Sequence, residues 1–206
     1  MKVSLSRAGK RFNREWIFRN VSLDFFSSRS YAITGANGSG KSTFLQSVGG
    51  MFQLSEGDLT FSFKDKVVPP EHTFQHISFS APYLELIEEM TLWEFLSFHF
   101  KFKPILGGID AEQIIEIINL ETAAKKQMRY YSSGMKQRVK LAQAIFSDTT
   151  ILLLDEPCSN LDIAGIELYH HLIKNYTAGR LVMVSSNDQI EYSFCDEKLS
   201  INDFKK

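Results

Sequence analysis

The sequence predicts an α/β fold built on a parallel sheet, and three observations support this. Short apolar strands alternate with helical stretches along the chain, the order found when crossover helices join parallel strands. Three early segments instead alternate polar and apolar residues, which indicates a small antiparallel sheet. Of the 206 residues, 44% are hydrophobic and 23% charged, an ordinary balance for a folded domain with a modest insertion.

The predicted elements follow from these patterns in chain order. The antiparallel strands are Val3–Ser6, Val21–Phe25 and Asp58–Phe63. The strands of the parallel sheet are Tyr31–Thr34, His76–Ser80, Ile151–Leu154 and Leu181–Val184. The helices are Lys41–Val48, Thr91–Phe102, Ala111–Asn119, Gly134–Phe146 and Asp162–Asn175. We expect a single domain over residues 1–206, with its core at about 1–83 and 136–206 and a helical subdomain at about 84–135.

Composition excludes several classes of protein. Formal net charge is −1, with 23 basic and 24 acidic side chains, so no global charge excess favours nucleic acid. Two cysteines, Cys158 and Cys195, are too few for a disulfide framework and indicate a reducing compartment. The first residues lack the apolar segment of a secretion signal, and no apolar run is long enough to span a bilayer. These features predict a soluble, cytosolic chain.

The stretch GANGSGKST, residues 35–43, matches the phosphate-binding pattern G-x-x-x-x-G-K-[ST] between a predicted strand and a predicted helix. Glycines let backbone N–H groups converge on phosphate oxygens, and the helix N-terminus adds partial positive charge. Lys41 would reach the β- and γ-phosphates, and the Ser42 hydroxyl would bind Mg²⁺. The predicted nucleotide-binding residues here are Gly35, Asn37, Gly38, Ser39, Gly40, Lys41, Ser42 and Thr43.

The stretch ILLLDEP, residues 151–157, ends a buried strand with two carboxylates. The strand would bring Asp155 to the edge of the sheet where the phosphate loop also lies. Asp155 is therefore a second predicted Mg²⁺ residue. Glu156 would act as general base or orient the water that attacks the γ-phosphate.

A third motif, YYSSGMKQR at residues 130–138, predicts another helix start. Ser132 or Ser133 would cap a helix whose inward face carries Val139, Ala142 and Phe146. Small residues at a helix N-terminus can bind an anion.

Together, the three motifs resemble those of the ATP-binding subunits of ABC (ATP-binding cassette) transporters. GANGSGKST matches the Walker A loop of that family, and ILLLDE matches the Walker B strand with its glutamate. YSSGM stands where the family has its LSGGQ signature, and SNLD at 159–162 resembles the D-loop. YSSGM departs from LSGGQ at three positions but keeps Ser132 and Gly134. The resemblance implies a P-loop NTPase (RecA-like) core with a small antiparallel β subdomain and an inserted helical subdomain.

The resemblance also implies how the site is completed. In this family two subunits enclose two ATP molecules, so a homodimer or a pair with a similar subunit is expected, with ATP and Mg²⁺ bound. The signature and D-loop residues would then serve the partner's nucleotide, which adds Ser132, Ser133, Gly134 and Asp162 to the binding residues. Phe12 resembles the aromatic residue that stacks on adenine. A core position for Phe12, or stacking by Trp16 instead, remains open.

Two positions depart from the family pattern. Pro82 stands where the Q-loop glutamine is expected, and proline offers no side-chain donor or acceptor. Asn187 stands where the family has its switch histidine. The resemblance implies that it is the third catalytic residue, beside Glu156 and Lys41. Its amide can donate a hydrogen bond to phosphate but cannot move a proton. If only one hydrogen bond is lost, hydrolysis would slow by about ten- to a hundredfold.

The resemblance implies an ATPase subunit that drives transport through a separate integral membrane subunit, on the inner face of the cell membrane. Its small size and YSSGM variant favour an export-type system. No direct contact with nucleic acid is expected. Two alternatives are a soluble ABC ATPase that acts on nucleic acid or protein complexes, and a regulatory subunit that hydrolyses ATP weakly. The aromatic stretch Thr91–Phe102 would be either a subdomain core wrapped on two sides or, in part, a docking surface.

Overall fold

A computed structural model describes residues 1–205, which divide into two compact units. The first unit comprises Met1–Ile77, Thr150–Glu156 and the chain from Gly179 onward. The second comprises Ser78–Thr149 and Pro157–Ala178. These limits differ from the core and helical subdomain expected from the sequence, whose bounds remain a prediction.

An antiparallel sheet in the first unit forms from the first third of the chain. Its strands are β1 (Lys2–Phe12), β2 (Glu15–Phe26), β4 (Glu56–Phe63) and β5 (Lys66–Val67), in the order β2-β1-β4-β5. Alternation of buried and exposed residues is interrupted in β1 by bulges between Leu5 and Ala8, where the pairing with β2 shifts register. The three strands predicted here are confirmed, and each is longer than its pattern indicated.

The parallel sheet of the first unit carries the predicted phosphate loop. It contains β3 (Ser30–Thr34), β7 (Ile151–Asp155), β8 (Leu181–Ser185) and β9 (Glu197–Ser200), in the order β7-β8-β3-β9. All residues of β7 and β8 are buried, as expected of central parallel strands. Helix α1 (Lys41–Val48) follows β3 with the bounds that the sequence predicted, and a short helix α6 (Gln189–Tyr192) follows β8.

The second unit is mainly helical. Its helices are α2 (Leu92–His99), α3 (Ala111–Ile117), α4 (Ser133–Ile145) and α5 (Ile163–Tyr176). All four begin with a capping side chain that accepts a backbone N–H, from Thr91, Asp110, Ser132 and Asp162. The inward positions predicted for α4, Val139, Ala142 and Phe146, are fully buried. Strand β6 (Ile77–Ser80) crosses the boundary between the units.

Two predicted helices end early for local reasons. The prediction that α2 reaches Phe102 is wrong: the helix ends at His99, and residues 100–102 form a turn ahead of Pro104. Helix α3 ends at Ile117 rather than Asn119, which has a left-handed φ of 56°. No helix within residues 1–205 is long and apolar enough to cross a membrane.

The aromatic face of α2 is buried on one side alone. Leu92 and Leu96 are fully buried, whereas Trp93 is 47% and Phe98 41% exposed. Phe102, just beyond the helix, is 69% exposed. The prediction of a core wrapped on two sides is therefore wrong for this stretch. The exposed aromatic side chains remain compatible with the alternative, a docking surface.

Alanine at Gly57 is expected to destabilise the protein more than alanine at Gly179. Both glycines have left-handed φ, 75° and 79°, so alanine costs roughly 1–2 kcal/mol at either. A Cβ on Gly57 would lie 2.2 Å from the Arg7 carbonyl oxygen, whereas a Cβ on Gly179 meets no atom within 4 Å. The clash adds about 1–3 kcal/mol at Gly57 alone. Denaturant unfolding of both variants measures the difference, and equal losses would contradict it.

Candidate functional site

The predicted phosphate loop lies between β3 and α1. Gly40 precedes α1 with φ 100°, and a Cβ there would lie 2.2 Å from Ile17 Cγ2. Gly38, by contrast, faces open space and is exposed. The loop backbone is therefore packed on one side and accessible on the other, the arrangement that a bound phosphate requires.

Lys41, the first residue of α1, is only 5% exposed. Its ammonium donates hydrogen bonds to the carbonyl oxygens of Gly35 at 2.9 Å and Ala36 at 3.3 Å. The buried Ser39 hydroxyl has no hydrogen-bond partner among the described residues. A buried cation that contacts neutral carbonyls, beside a hydroxyl without a partner, fits a polyphosphate chain. Ser42 and Thr43 are half-buried in the first turn of α1.

Two carboxylates lie at the end of β7, as predicted. Asp155 is 1% exposed and pairs in register with Ser185 of β8. Glu156 is half-buried, and its backbone N–H donates to the Ser185 carbonyl oxygen at 2.9 Å. Glu156 has φ 42°, a conformation that glutamate rarely adopts and that is often found at functional sites.

Asn187 lies beside the phosphate loop. It is the second residue after β8, and its side-chain Nδ2 donates a hydrogen bond to Asn37 Oδ1 at 2.6 Å. The residue at the switch-histidine position is thus in contact with the Walker A stretch. Sequence analysis gave Asn37 and Asn187 separate roles and did not foresee their contact, because they are 150 positions apart.

Phe12, at the end of β1, is 44% exposed, so the alternative of a core phenylalanine is wrong. Its ring packs edge-on against Phe52, with centroids 5.8 Å apart, and Lys10 Nζ lies 4.9 Å from the ring centroid. The Arg19 guanidinium lies 4.5 Å from the ring of the rival, Trp16. The accessible ring of Phe12 supports its adenine-stacking role, which stays a prediction.

The second unit carries the signature stretch. Ser132 caps α4, and its hydroxyl accepts from the Met135 N–H at 3.2 Å. Both serines are exposed, and a Cβ on Gly134 would lie 3.0 Å from the Asn160 carbonyl oxygen. A cavity of about 400 Å³ includes these predicted residues in its lining: Ser132, Ser133, Gly134 and Asp162.

Asp162 has two partners within the same unit. Its carboxylate accepts from the Gly165 N–H at 2.8 Å, as the cap of α5, and from Arg138 Nη2 at 3.4 Å. Arg138 was not predicted as a site residue, although it lines the same cavity as Ser132 and Gly134. Its position on α4 could have indicated this, because residues four apart, such as Gly134 and Arg138, share a helix face.

The proline at the Q-loop position still has a polar contact, through its backbone. Lys140 Nζ donates to the Pro82 carbonyl oxygen. One turn earlier on α4, Lys136 Nζ pairs with Glu88 Oε1 at 2.5 Å. Burial lowers the pKa of Lys140, and the positive charge of Lys136 lowers it further. Two lysines of the signature helix therefore hold the segment of residues 82–88.

Sequence comparison identifies the family. Residues 18–159 match the family model described as ABC transporter. The Bacillus subtilis protein YybJ, an uncharacterized ABC transporter ATP-binding protein, is 30% identical over 201 residues, covering 94% of this chain and 89% of YybJ. YhcH of the same organism, with the same description, is 28% identical over 97% of this chain and 66% of its own length.

Comparison with solved structures gives the same fold. A putative ABC transporter ATP-binding protein from Pyrococcus furiosus matches with TM-score 0.83 and 17% identity over 100% of both chains. An ATP-binding cassette solved as a dimer after hydrolysis, with ADP and Pi, matches with TM-score 0.81 and 23% identity over 96% of this chain and 93% of that one. The fold of this chain, its motifs and the family match agree. The chain belongs to the ABC transporter family, among the ATP-binding, ATP-hydrolysing subunits of that family.

Proposed function

We propose that the chain binds MgATP at the Gly35–Thr43 loop and hydrolyses it to drive transport through a separate integral membrane subunit. The observation that supports this most strongly is the buried Lys41 ammonium, which contacts the carbonyls of its own glycine-rich loop. Asp155 and Glu156 belong to the same unit and lie at the end of β7. The neighbouring strand, β8, ends two residues before Asn187. The proposed phosphate-binding and water-activating groups therefore come from the first unit.

Ser42 and Asp155 would hold the Mg²⁺ ion. The described residues contain no cluster of three or more carboxylate, histidine or cysteine ligands. Two oxygen donors still fit Mg²⁺, because this ion binds through one or two protein groups, with phosphate oxygens and water as its other ligands. When bound, the ion would neutralise charge on the β- and γ-phosphates.

Glu156 would take the proton of the attacking water. Glu156 has a left-handed backbone and therefore leaves the alternating pattern of the strand that ends at Asp155. The two adjacent carboxylates can thus serve different roles. Lys41 would exchange its bonds to Gly35 and Ala36 for phosphate oxygens, which bind the ammonium more strongly because they are charged.

Nucleotide would also bring two subunits together, either two copies or one copy with a similar cassette. The exposed start of α4 supports this, because Ser132 and Ser133 leave their helix N-terminus accessible to a partner's phosphate. Gly134 allows the close approach, and Asp162, held by Arg138, would lie at the same interface.

The membrane partner would cover exposed apolar side chains of the second unit, on the inner face of the membrane. Those between residues 83 and 102 are Tyr83, Ile87, Trp93, Phe98 and Phe102. Their concentration in one stretch of the chain supports contact with another protein there. No direct contact with nucleic acid is proposed.

A second candidate is a regulatory subunit that binds ATP but hydrolyses it slowly, because Pro82 and Asn187 replace two family residues. Release of phosphate from MgATP by the purified wild-type chain distinguishes the two. Turnover that stops when EDTA removes Mg²⁺ supports the transporter ATPase. MgATP binding without turnover supports the regulatory candidate.

Replacing Asn187 with histidine is expected to give hydrolysis at least as fast as wild type. The single N–H of a neutral imidazole can still donate to phosphate, and the other ring nitrogen can accept a proton. Steady-state kcat for MgATP measures this. Asn202→Ala, an exposed asparagine elsewhere in the first unit, serves as the control. A clear loss of kcat in Asn187→His alone would mean that Asn187 does not occupy the switch position.

A further inference from the structure

The hydrogen bond between Asn37 and Asn187 joins two loops of the first unit. Both residues are exposed, yet their amides lie 2.6 Å apart. Whichever amide donates, the pair uses one of its N–H protons and keeps three for another acceptor. Two neutral side chains thus form a cluster rich in donors next to the phosphate loop.

The backbones of these loops are held without the pair. The Ser39 N–H donates to the Ala36 carbonyl at 3.0 Å within the phosphate loop. After β8, the Asp188 N–H donates to Ser186 Oγ at 2.9 Å. The Asn37–Asn187 bond is therefore additional to bonds that shape each loop on its own.

We propose that Asn37 positions Asn187 so that the pair recognises the γ-phosphate as a single unit. This rests on the proposed function, in which MgATP occupies the loop. The remaining N–H protons would donate to oxygens of the γ-phosphate, a group that a diphosphate lacks. Asn37 is then a specificity residue for triphosphate over diphosphate, and Asn187 depends on it for its orientation.

The pair also changes the chemistry of recognition. An amide does not titrate near neutral pH, whereas histidine gains a charge as the pH falls below about 6.5. The terminal phosphate of a nucleotide itself titrates at about pH 6, but the amide pair adds no pH dependence of its own to the discrimination between triphosphate and diphosphate.

Binding of Mg-AMP-PNP and MgADP, measured by calorimetry, tests the proposal on wild type, Asn37→Ala, Asn187→Ala and the double variant. A lost hydrogen bond corresponds to about a twofold to tenfold change in Kd. We expect each single variant to weaken AMP-PNP by that factor and to leave ADP within twofold. The double variant should bind AMP-PNP no more weakly than the weaker single variant, because the two amides act together.

Three controls define the outcome. Asn202→Ala should match wild type for both nucleotides, and thermal unfolding should show that every variant is folded. From pH 6 to 8 the AMP-PNP to ADP ratio of Asn187→His should change more than that of wild type, because only the histidine adds a titration to that of the phosphates. Single-variant effects that multiply in the double variant, equal losses for ADP, or the same pH dependence in wild type and Asn187→His would each overturn the proposal. If wild type binds neither nucleotide, the proposed function itself fails.

Discussion

Replacing Glu156 with glutamine is expected to lower kcat for MgATP hydrolysis by about 10²–10⁴-fold, the usual contribution of a general base. Glutamine keeps the size and one oxygen of glutamate but cannot take a proton from water. The backbone of Glu156 has φ 42° and donates to the Ser185 carbonyl, and neither feature depends on the charge. MgATP affinity and the unfolding temperature should therefore stay at wild-type values while phosphate release stops.

Glu167→Gln provides the matched control for Glu156→Gln. Glu167 is an exposed carboxylate on α5, so the same chemical change there should leave kcat unchanged. If wild type and Glu156→Gln release phosphate equally slowly although both bind ATP, the hydrolytic role of Glu156 is refuted. The regulatory candidate would then account for the family motifs.

Replacing Lys41 with alanine is expected to weaken MgATP binding by about 10- to 150-fold, the equivalent of one charge-assisted hydrogen bond. The ammonium is 5% exposed and contacts neutral carbonyls, so its desolvation is offset incompletely until phosphate is bound. Removing it should therefore not lower the unfolding temperature of the nucleotide-free protein.

Ligand stabilisation separates these two effects of Lys41→Ala. A ligand at 100 times its Kd adds about 2.7 kcal/mol to the free energy of unfolding. MgATP at that concentration should stabilise wild type and give Lys41→Ala a much smaller increase. Lys174→Ala, an exposed lysine on α5, should respond like wild type. Equal stabilisation of Lys41→Ala and wild type would show that Lys41 does not contact the nucleotide.

The elements that the sequence predicted well are those determined by local patterns. Helix α1 has the predicted bounds, because the glycine-rich loop before it and the glycines after it limit it on both sides. Strands β7 and β8 follow from uninterrupted apolar runs, which central parallel strands require. The end of α2 was less predictable, because Pro104 disfavours a helical Lys103 but does not indicate an end as early as His99.

The features that the sequence did not reveal depend on distant contacts. The amides of Asn37 and Asn187 meet only because β3 and β8 are neighbours in the sheet, although the residues are far apart in sequence. In the same way, Arg138 could be assigned to a helix face, but its pairing with Asp162 depends on how α4 and α5 pack. Composition and periodicity contain no information on such pairs.

The contact between Lys140 and the carbonyl of Pro82 has a consequence for substitutions at residue 82. Every amino acid has a backbone carbonyl, so the acceptor of this hydrogen bond does not depend on the side chain that stands there. The donor, by contrast, is a side chain. Residue 82 can therefore be exchanged without removing the acceptor, whereas exchanging Lys140 for a residue without a long donor side chain would remove the hydrogen bond.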